Sequence, residues 1–185
     1  MKFIQTKIPD VMLVKPVIYS DERGFFLETF QKIKFAEAGI THDFVQDNFS
    51  CSRKGTLRGL HYQIRNSQGK LLKVVSGEIF DVAVDLRRKT PYFGKWVSTI
   101  LSAENMVQMW IPPGFAHGFY VLSERAELLY KATDYYAPEW ERTILWSDSA
   151  IAIHWPLIDG YPLIISDKDK RGMLLREALV KDVFD

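Results

Sequence analysis

The chain has 185 residues, 47% of them hydrophobic, with 24 basic side chains against 23 acidic. That length supports one sizeable core spanning residues 1–185, and the hydrophobic share excludes a disordered chain. Balanced charge gives no support to a nucleic-acid partner, no uncharged run approaches the roughly 18 apolar residues of a membrane span, and the N-terminal residues lack the apolar stretch of a secretion signal.

Strand signals dominate the chain. Residues 11–18 read as a first strand, and 32–38 as a short helix stopped by Gly39. Residues 44–52 read as the next strand, closed by the turn Arg53-Lys54-Gly55. The single cysteine, Cys51, cannot form an internal disulfide; it reads as an unreactive thiol near a strand end and suits a reducing, cytoplasmic compartment. Leu71-Leu72-Lys73-Val74-Val75 runs into Ser76-Gly77, read as a tight hairpin turn. Beyond it, Phe80, Val82, Val84 and Leu86 alternate with Asp81, Ala83 and Asp85, the pattern of a strand with one face in a core. Further strands are predicted over 96–101, 107–111, 118–121 and 126–133, and a helix over 170–179. Many short strands with turns between them indicate a β-sandwich or barrel.

Several chemistries are excluded by their motifs. The 11 glycines contain no Gly-x-Gly pair, so the dinucleotide fingerprint is missing. Gly69-Lys70 fails as a phosphate loop, with Ile64 and Leu71 at required positions. No Gly-x-Ser-x-Gly elbow or His-Glu-x-x-His pair occurs, and one cysteine cannot build a zinc finger.

The residues that remain are dispersed. Leu57-Arg58-Gly59-Leu60-His61-Tyr62-Gln63, followed by Lys70, is the densest polar segment. Two readings stand: a surface charge cluster, or a site combining a phosphate fork (Arg58), a movable cation (Lys70) and a base titrating near neutrality (His61). In a regular strand Arg58 and His61 point oppositely; a bulge at Gly59 brings them together. Pro112-Pro113-Gly114-Phe115-Ala116-His117 resembles the second half of the cupin signature, in which a histidine enters a small barrel. The first half here reads His61-Tyr62-Gln63, with Gln63 where metal-binding cupins carry a second histidine, and two histidines without further support make a poor metal site. In strand register Tyr130 shares a face with Leu128 and Ala132, as buried structural tyrosines commonly do. Ser166-Asp167-Lys168-Asp169-Lys170 reads by itself as a solvated charge run.

Taken together, these segments resemble the dTDP-4-dehydrorhamnose 3,5-epimerase family, the sugar-nucleotide branch of the cupins. The resemblance extends over Asp21 to Phe30, Phe44 to Asn48, Leu57 to His61, Gly77 to Asp85, Ile111 to Phe119, Tyr130 to Tyr136 and Ser166 to Asp169. It implies an all-β, cupin-like jelly-roll barrel or sandwich with a few short peripheral helices. It also implies a cofactor-free, metal-free enzyme acting on a dTDP-linked 4-keto-6-deoxy sugar, and a homodimer with exchanged N-terminal strands. By the same resemblance His61 is the base, paired with Asp169 (Asp167 being the alternative partner), Lys70 stabilises the enolate and Tyr130 is the acid. Arg58 matches a diphosphate contact, Gln46, Asn48 and His117 the lining of the sugar end, Tyr136 the thymine-stacking ring, and Glu141 a nucleotide contact. Lys168 sits beside the dyad carboxylate, while Arg23 and Glu28 belong to a block that reaches the neighbouring subunit's site. Sister enzymes that invert one centre or isomerise the ketone, and non-catalytic sugar-nucleotide binders, are the alternatives.

Overall fold

A computed structural model describes residues 1–184. In chain order the elements are β1 (Lys2–Gln5), β2 (Met12–Lys15), β3 (Ile18–Asp21), β4 (Gly24–Leu27), α1 (Lys32–Glu37), β5 (Gln46–Arg53), β6 (Leu57–Gln63), β7 (Lys70–Ser76) and β8 (Glu78–Asp85). They continue with β9 (Trp96–Ser102), β10 (Gln108–Ile111), β11 (Phe115–Val121), β12 (Arg125–Ala132), β13 (Glu141–Thr143), α2 (Asp167–Lys170) and α3 (Leu175–Ala178). One sheet has the order β1-β2-β10-β7-β12-β5 and the other β13-β6-β11-β8-β9. The architecture is the all-β, cupin-like jelly roll, an open two-sheet sandwich rather than a closed barrel. Among the described residues, no helix is long and apolar enough to cross a membrane.

Side-chain alternation distributes the apolar residues over three layers. Between the sheets lie Leu72, Val74, Ala83, Met109, Ile111, Phe115, Phe119 and Leu128. The outer face of the five-stranded sheet carries Leu60, Tyr62, Val82 and Val84, covered by Ile144, Ile151, Leu175 and Ala178 from the C-terminal segment. The outer face of the six-stranded sheet carries Val14, Leu71 and Trp110, covered by Phe35 of α1 and by Ile40. Fully burying a leucine, isoleucine or phenylalanine is worth about 1.5–3 kcal/mol, so each layer contributes strongly to holding the sheets in place.

The expectation of one buried face on β8 is therefore corrected. Phe80, Val82 and Val84 face the C-terminal cover, and the alternating set with Asp81, Ala83 and Asp85 faces the space between the sheets. Both aspartates are fully buried. The Ser76-Gly77 turn is also not a hairpin: β7 and β8 belong to different sheets, and the chain crosses between them there. Gly77 has φ +78°, and a Cβ on it would lie 2.0 Å from the Arg125 carbonyl. The predicted strand over 11–18 is split at Pro16-Val17 into β2 and β3, and β3 pairs with β4, a strand not anticipated. The predicted C-terminal helix is two short pieces, because Gly172-Met173 runs beside Ile144-Leu145, where a Gly172 Cβ would lie 2.7 Å from the Leu145 nitrogen.

Candidate active site

A bulge creates the site. On β11, His117 and Phe119 are two residues apart, but their β6 partners, His61 and Arg58, are three apart. The extra residue lets Arg58 and His61 share the inward face, as a bulge in an antiparallel pair does. Gly59 has φ +130°, and a Cβ there would lie 2.5 Å from the Gly118 Cα, so the close approach of the two strands requires glycine on this side.

Arg58, His61, Gln68, Lys70, His117, Tyr130, Tyr136 and Glu141 line one cavity of about 180 Å3 between the sheets, together with Ser50, Gln63 and the apolar Leu72, Phe119 and Leu128. Arg58, His61 and His117 come from the five-stranded sheet; Lys70 and Tyr130 come from the six-stranded sheet. Aligned sheets pack about 10 Å apart, so these groups face each other across roughly the thickness of one bound ring.

His61 Nε2 lies 2.7 Å from Asp169 Oδ1. Asp169 is held at the start of α2, where the Ser166 hydroxyl accepts its backbone N–H at 3.1 Å. Its second oxygen accepts the Gly59 N–H at 3.2 Å, which ties α2 to the bulge. Burial acts to raise the Asp169 carboxyl, but the His61 hydrogen bond and charge, the Gly59 N–H and the Lys168 charge outweigh it and hold the group below its ordinary value. Asp167, the alternative partner, is exposed and ion-paired with Lys170 at 3.2 Å.

The facing wall is governed by desolvation. Burial pulls the Lys70 ammonium down to about 8, opposed by the negative charge of Glu141. Burial pushes the Tyr130 phenol up, with the Arg58 charge acting against it. Arg58 donates from Nε to the Ser52 hydroxyl at 3.0 Å, which leaves the terminal nitrogens of its guanidinium to meet an anion.

At the rim, the Tyr136 hydroxyl donates to Glu141 Oε2 at 3.2 Å, and Lys168 Nζ donates to the same oxygen at 2.9 Å. Lys168 is thus a rim residue tied to Glu141 and does not line the cavity wall. Gln46 and Asn48 also stand outside the wall: they continue the β5 face of Ser50 outward, and Gln46 Nε2 donates to Asn48 Oδ1 at 2.9 Å. Gln46 Oε1 accepts the Tyr136 N–H at 2.9 Å.

Arg23 and Glu28 are not brought into this cavity by one chain. Arg23 sits in the turn of the β3–β4 hairpin, paired with Asp21 at 2.6 Å, and Glu28 pairs with Lys34 at 2.7 Å. That hairpin pairs only with itself among the described strands and exposes Tyr19, Phe25 and Phe26.

Gln63, read as a vacated metal position, has another task. Its amide donates to the Asn66 and Tyr135 carbonyls at 2.7 and 3.2 Å and accepts the Ala137 N–H at 2.9 Å, bracing the loop that carries Tyr136. Among the described residues no group of three or more His, Cys, Asp and Glu side chains is arranged to hold a metal ion. Ser50, Gln68 and Asp81 were missed. Asp81 Oδ2 lies 2.9 Å from His117 Nε2, and its signal was present as an acid alternating with apolar residues on β8.

Residues 5–177 match the family described as dTDP-4-dehydrorhamnose 3,5-epimerase. A dTDP-4-dehydrorhamnose 3,5-epimerase of Pseudomonas aeruginosa is 57% identical over 179 residues, covering 96% of this chain and 98% of its own length. The crystal structure of an epimerase of Legionella pneumophila in complex with dTDP-4-keto-L-rhamnose superposes with a TM-score of 0.95 at 52% identity, covering 99% of this chain and 97% of that one. A 3'-monoepimerase of Streptomyces bikiniensis, in complex with dTDP-quinovose, shares the fold at 32% identity with a TM-score of 0.89, covering 97% and 91%.

Proposed function

The chain belongs to the dTDP-4-dehydrorhamnose 3,5-epimerase family, and from that premise we propose that the cavity between its sheets is the active site. The enzyme is an isomerase that converts dTDP-4-dehydro-6-deoxy-D-glucose to dTDP-4-dehydro-L-rhamnose, a step of dTDP-rhamnose biosynthesis. The observation that carries the site assignment is the placement of a histidine–aspartate pair and a half-buried tyrosine on opposite walls of one cavity.

The ketone at C4 acidifies the C–H bonds at C3 and C5. With Asp169 accepting the Nε2–H of His61, the Nδ1 lone pair is free to take a proton from carbon, and the carboxylate stabilises the imidazolium that forms. The C–H electron pair moves into the ring and the keto oxygen becomes an enolate, which the Lys70 ammonium stabilises without changing its own covalent bonds. Tyr130 delivers its phenolic proton to the same carbon from the opposite face, inverting it. Solvent then removes the proton from His61 and restores that of Tyr130, and the cycle repeats at the second carbon. Arg58 and His117 hold the diphosphate and sugar, with Tyr136 and Glu141 at the nucleotide end and Gln46, Asn48 and Lys168 supporting that rim.

Arg23 and Glu28 belong to a homodimer in this reading. The self-paired β3–β4 hairpin, with Phe26 70% exposed, is suited to pack on a second copy and carry both residues to the partner's cavity. A sugar-nucleotide substrate and the lone, unpaired Cys51 fit action in the cytoplasm.

The test is turnover of dTDP-4-dehydro-6-deoxy-D-glucose in heavy water, followed by NMR. Deuterium is expected at both C3 and C5 of the product. Deuterium at only one of them makes the enzyme a mono-epimerase, and none at either removes the proton-transfer assignment.

A further inference from the structure

Beside the proposed base stands a second histidine–aspartate pair. β11 and β8 are neighbours with Phe119 opposite Asp81 and His117 opposite Ala83, so Asp81 and His117 are diagonal neighbours on the inward face. His117 Nε2 lies 2.9 Å from Asp81 Oδ2. On its other side His117 is the direct cross-strand partner of His61. Directly opposed side chains have Cβ atoms about 5 Å apart, so the two rings reach the same part of a bound ligand.

Asp81 is fully buried, and its Oδ1 is the one buried side-chain nitrogen or oxygen without a hydrogen-bond partner among the described residues. A buried carboxylate half-satisfied in this way costs folding free energy, and such exceptions call for a functional cause. An apolar residue would suit the interior of β8 better, with Ile79 and Ala83 on the same face. What the carboxylate secures is the ring of His117, since the hydrogen bond made by one imidazole nitrogen decides the state of the other.

Resting on the reading of this cavity as the epimerase active site, we propose that Asp81 is a positioning residue that fixes His117 as the Nε2–H tautomer. This leaves the Nδ1 lone pair of His117 as the acceptor for a hydroxyl of the sugar, next to the carbon at which His61 acts. The two pairs then divide the work. His61 takes a proton from carbon, and His117 takes a hydrogen bond from oxygen and so sets which C–H points at the base. A neutral acceptor backed by a carboxylate selects a hydroxyl over a phosphate oxygen, which has no hydrogen to donate.

The experiment combines 15N NMR of the histidine rings with kinetics of Asp81→Asn, His117→Gln and the double variant. In the wild type His117 is expected to carry its hydrogen on Nε2, with Nδ1 bare. In Asp81→Asn the introduced amide can donate to Nε2 and shift that hydrogen to Nδ1, a signature that a merely structural role would not produce. Turnover by Asp81→Asn is expected to fall at least about 10-fold in kcat/KM while affinity for dTDP, which lacks the sugar, stays within about 2-fold. Because Asp81 acts through His117, the double variant should be no slower than His117→Gln alone.

A wild-type His117 protonated on Nδ1 alone overturns the proposal, whether or not any variant folds. So does an Asp81→Asn enzyme with unchanged kcat/KM, a loss of dTDP affinity equal to the loss of turnover, or independent, additive losses. Failure of the wild type to turn over the keto sugar would instead defeat the underlying assignment of function.

Discussion

The two walls of the cavity set their ionisable groups by different physics. On the five-stranded wall each histidine is held through Nε2 by a buried aspartate, at 2.7 Å for His61 and 2.9 Å for His117. On the six-stranded wall burial is the leading influence on both Lys70 and Tyr130, and it disfavours the charged form of each. Pairing fixes the orientation of each imidazole through one ring nitrogen; desolvation favours a phenol that keeps its proton and lowers the hold of the lysine on its own. The proposed mechanism uses both kinds of group on opposite faces of one ring, and a sandwich offers them by drawing each wall from a different sheet.

The largest expected effect comes from removing one functional group from each wall and comparing the losses. His61→Asn should lower turnover about 10³–10⁴-fold, at the upper end of general acid–base contributions, with dTDP affinity preserved. Tyr130→Phe should cost about 10²-fold in net inversion, because solvent can still supply a proton slowly. The sharper readout is isotopic. In heavy water Tyr130→Phe should exchange the substrate's own C–H faster than it forms epimer, since His61 can return a deuteron to the face it came from, whereas His61→Asn should lose exchange and inversion together. Equal loss of exchange in both variants would erase the division of labour between the walls.

Pairing and burial left unequal traces in the sequence. Alternation along 126–133 placed Tyr130 with Leu128 on an inward face, and the Gly59 bulge was readable from the need to turn Arg58 and His61 the same way. Asp169 was not readable from its surroundings, because a carboxylate in a run of charges looks solvated until α2 folds against a strand 108 residues earlier. Asp81 was hidden by the same alternation that revealed β8: a face bearing two aspartates looks like the solvent face, and only the C-terminal cover over Val82 and Val84 makes the opposite assignment correct. The crossing at Ser76-Gly77 was misread because turn chemistry is local, and whether the flanking strands pair is decided by the sheets around them. Arg23 and Glu28, which stand outside the cavity of this chain, have no local signature beyond an apolar, self-paired hairpin.

The second comparison concerns pH. Burial brings Lys70 to about 8, so its ammonium is populated below that pH and lost above it. If the charge stabilises the enolate, kcat/KM, which reports the free enzyme, should fall about 10-fold per unit as pH rises beyond about 8, with the acid limb belonging to other groups. Lys70→Arg keeps its charge throughout, since a guanidinium titrates above about 12. Its rate at pH 7 should be lower, because a planar fork replaces a point charge, but the alkaline limb near 8 should vanish from its profile. Persistence of that limb in Lys70→Arg would move it to another group and leave the wall without its electrostatic role.

Gln63 offers the smallest effect and the finest division between the walls' chemistry and their support. It lies on β6 with Arg58 and His61, yet its amide is spent on backbone groups at positions 66, 135 and 137. Gln63→Leu approximates its volume, removes all three bonds and leaves the buried Ala137 N–H unpartnered, a loss of about 1–3 kcal/mol in stability. The Tyr136 loop should loosen as a result, raising KM for the sugar nucleotide by about 3- to 10-fold, equivalent to about 0.7–1.4 kcal/mol of binding. Saturated turnover should stay within about 2-fold, because neither histidine–aspartate pair contacts the amide. Thermal denaturation and steady-state kinetics on the same preparation separate the two quantities. A fall in kcat matching the rise in KM would mean that the brace holds the reacting groups themselves. An unchanged KM with a lowered melting temperature would confine it to folding.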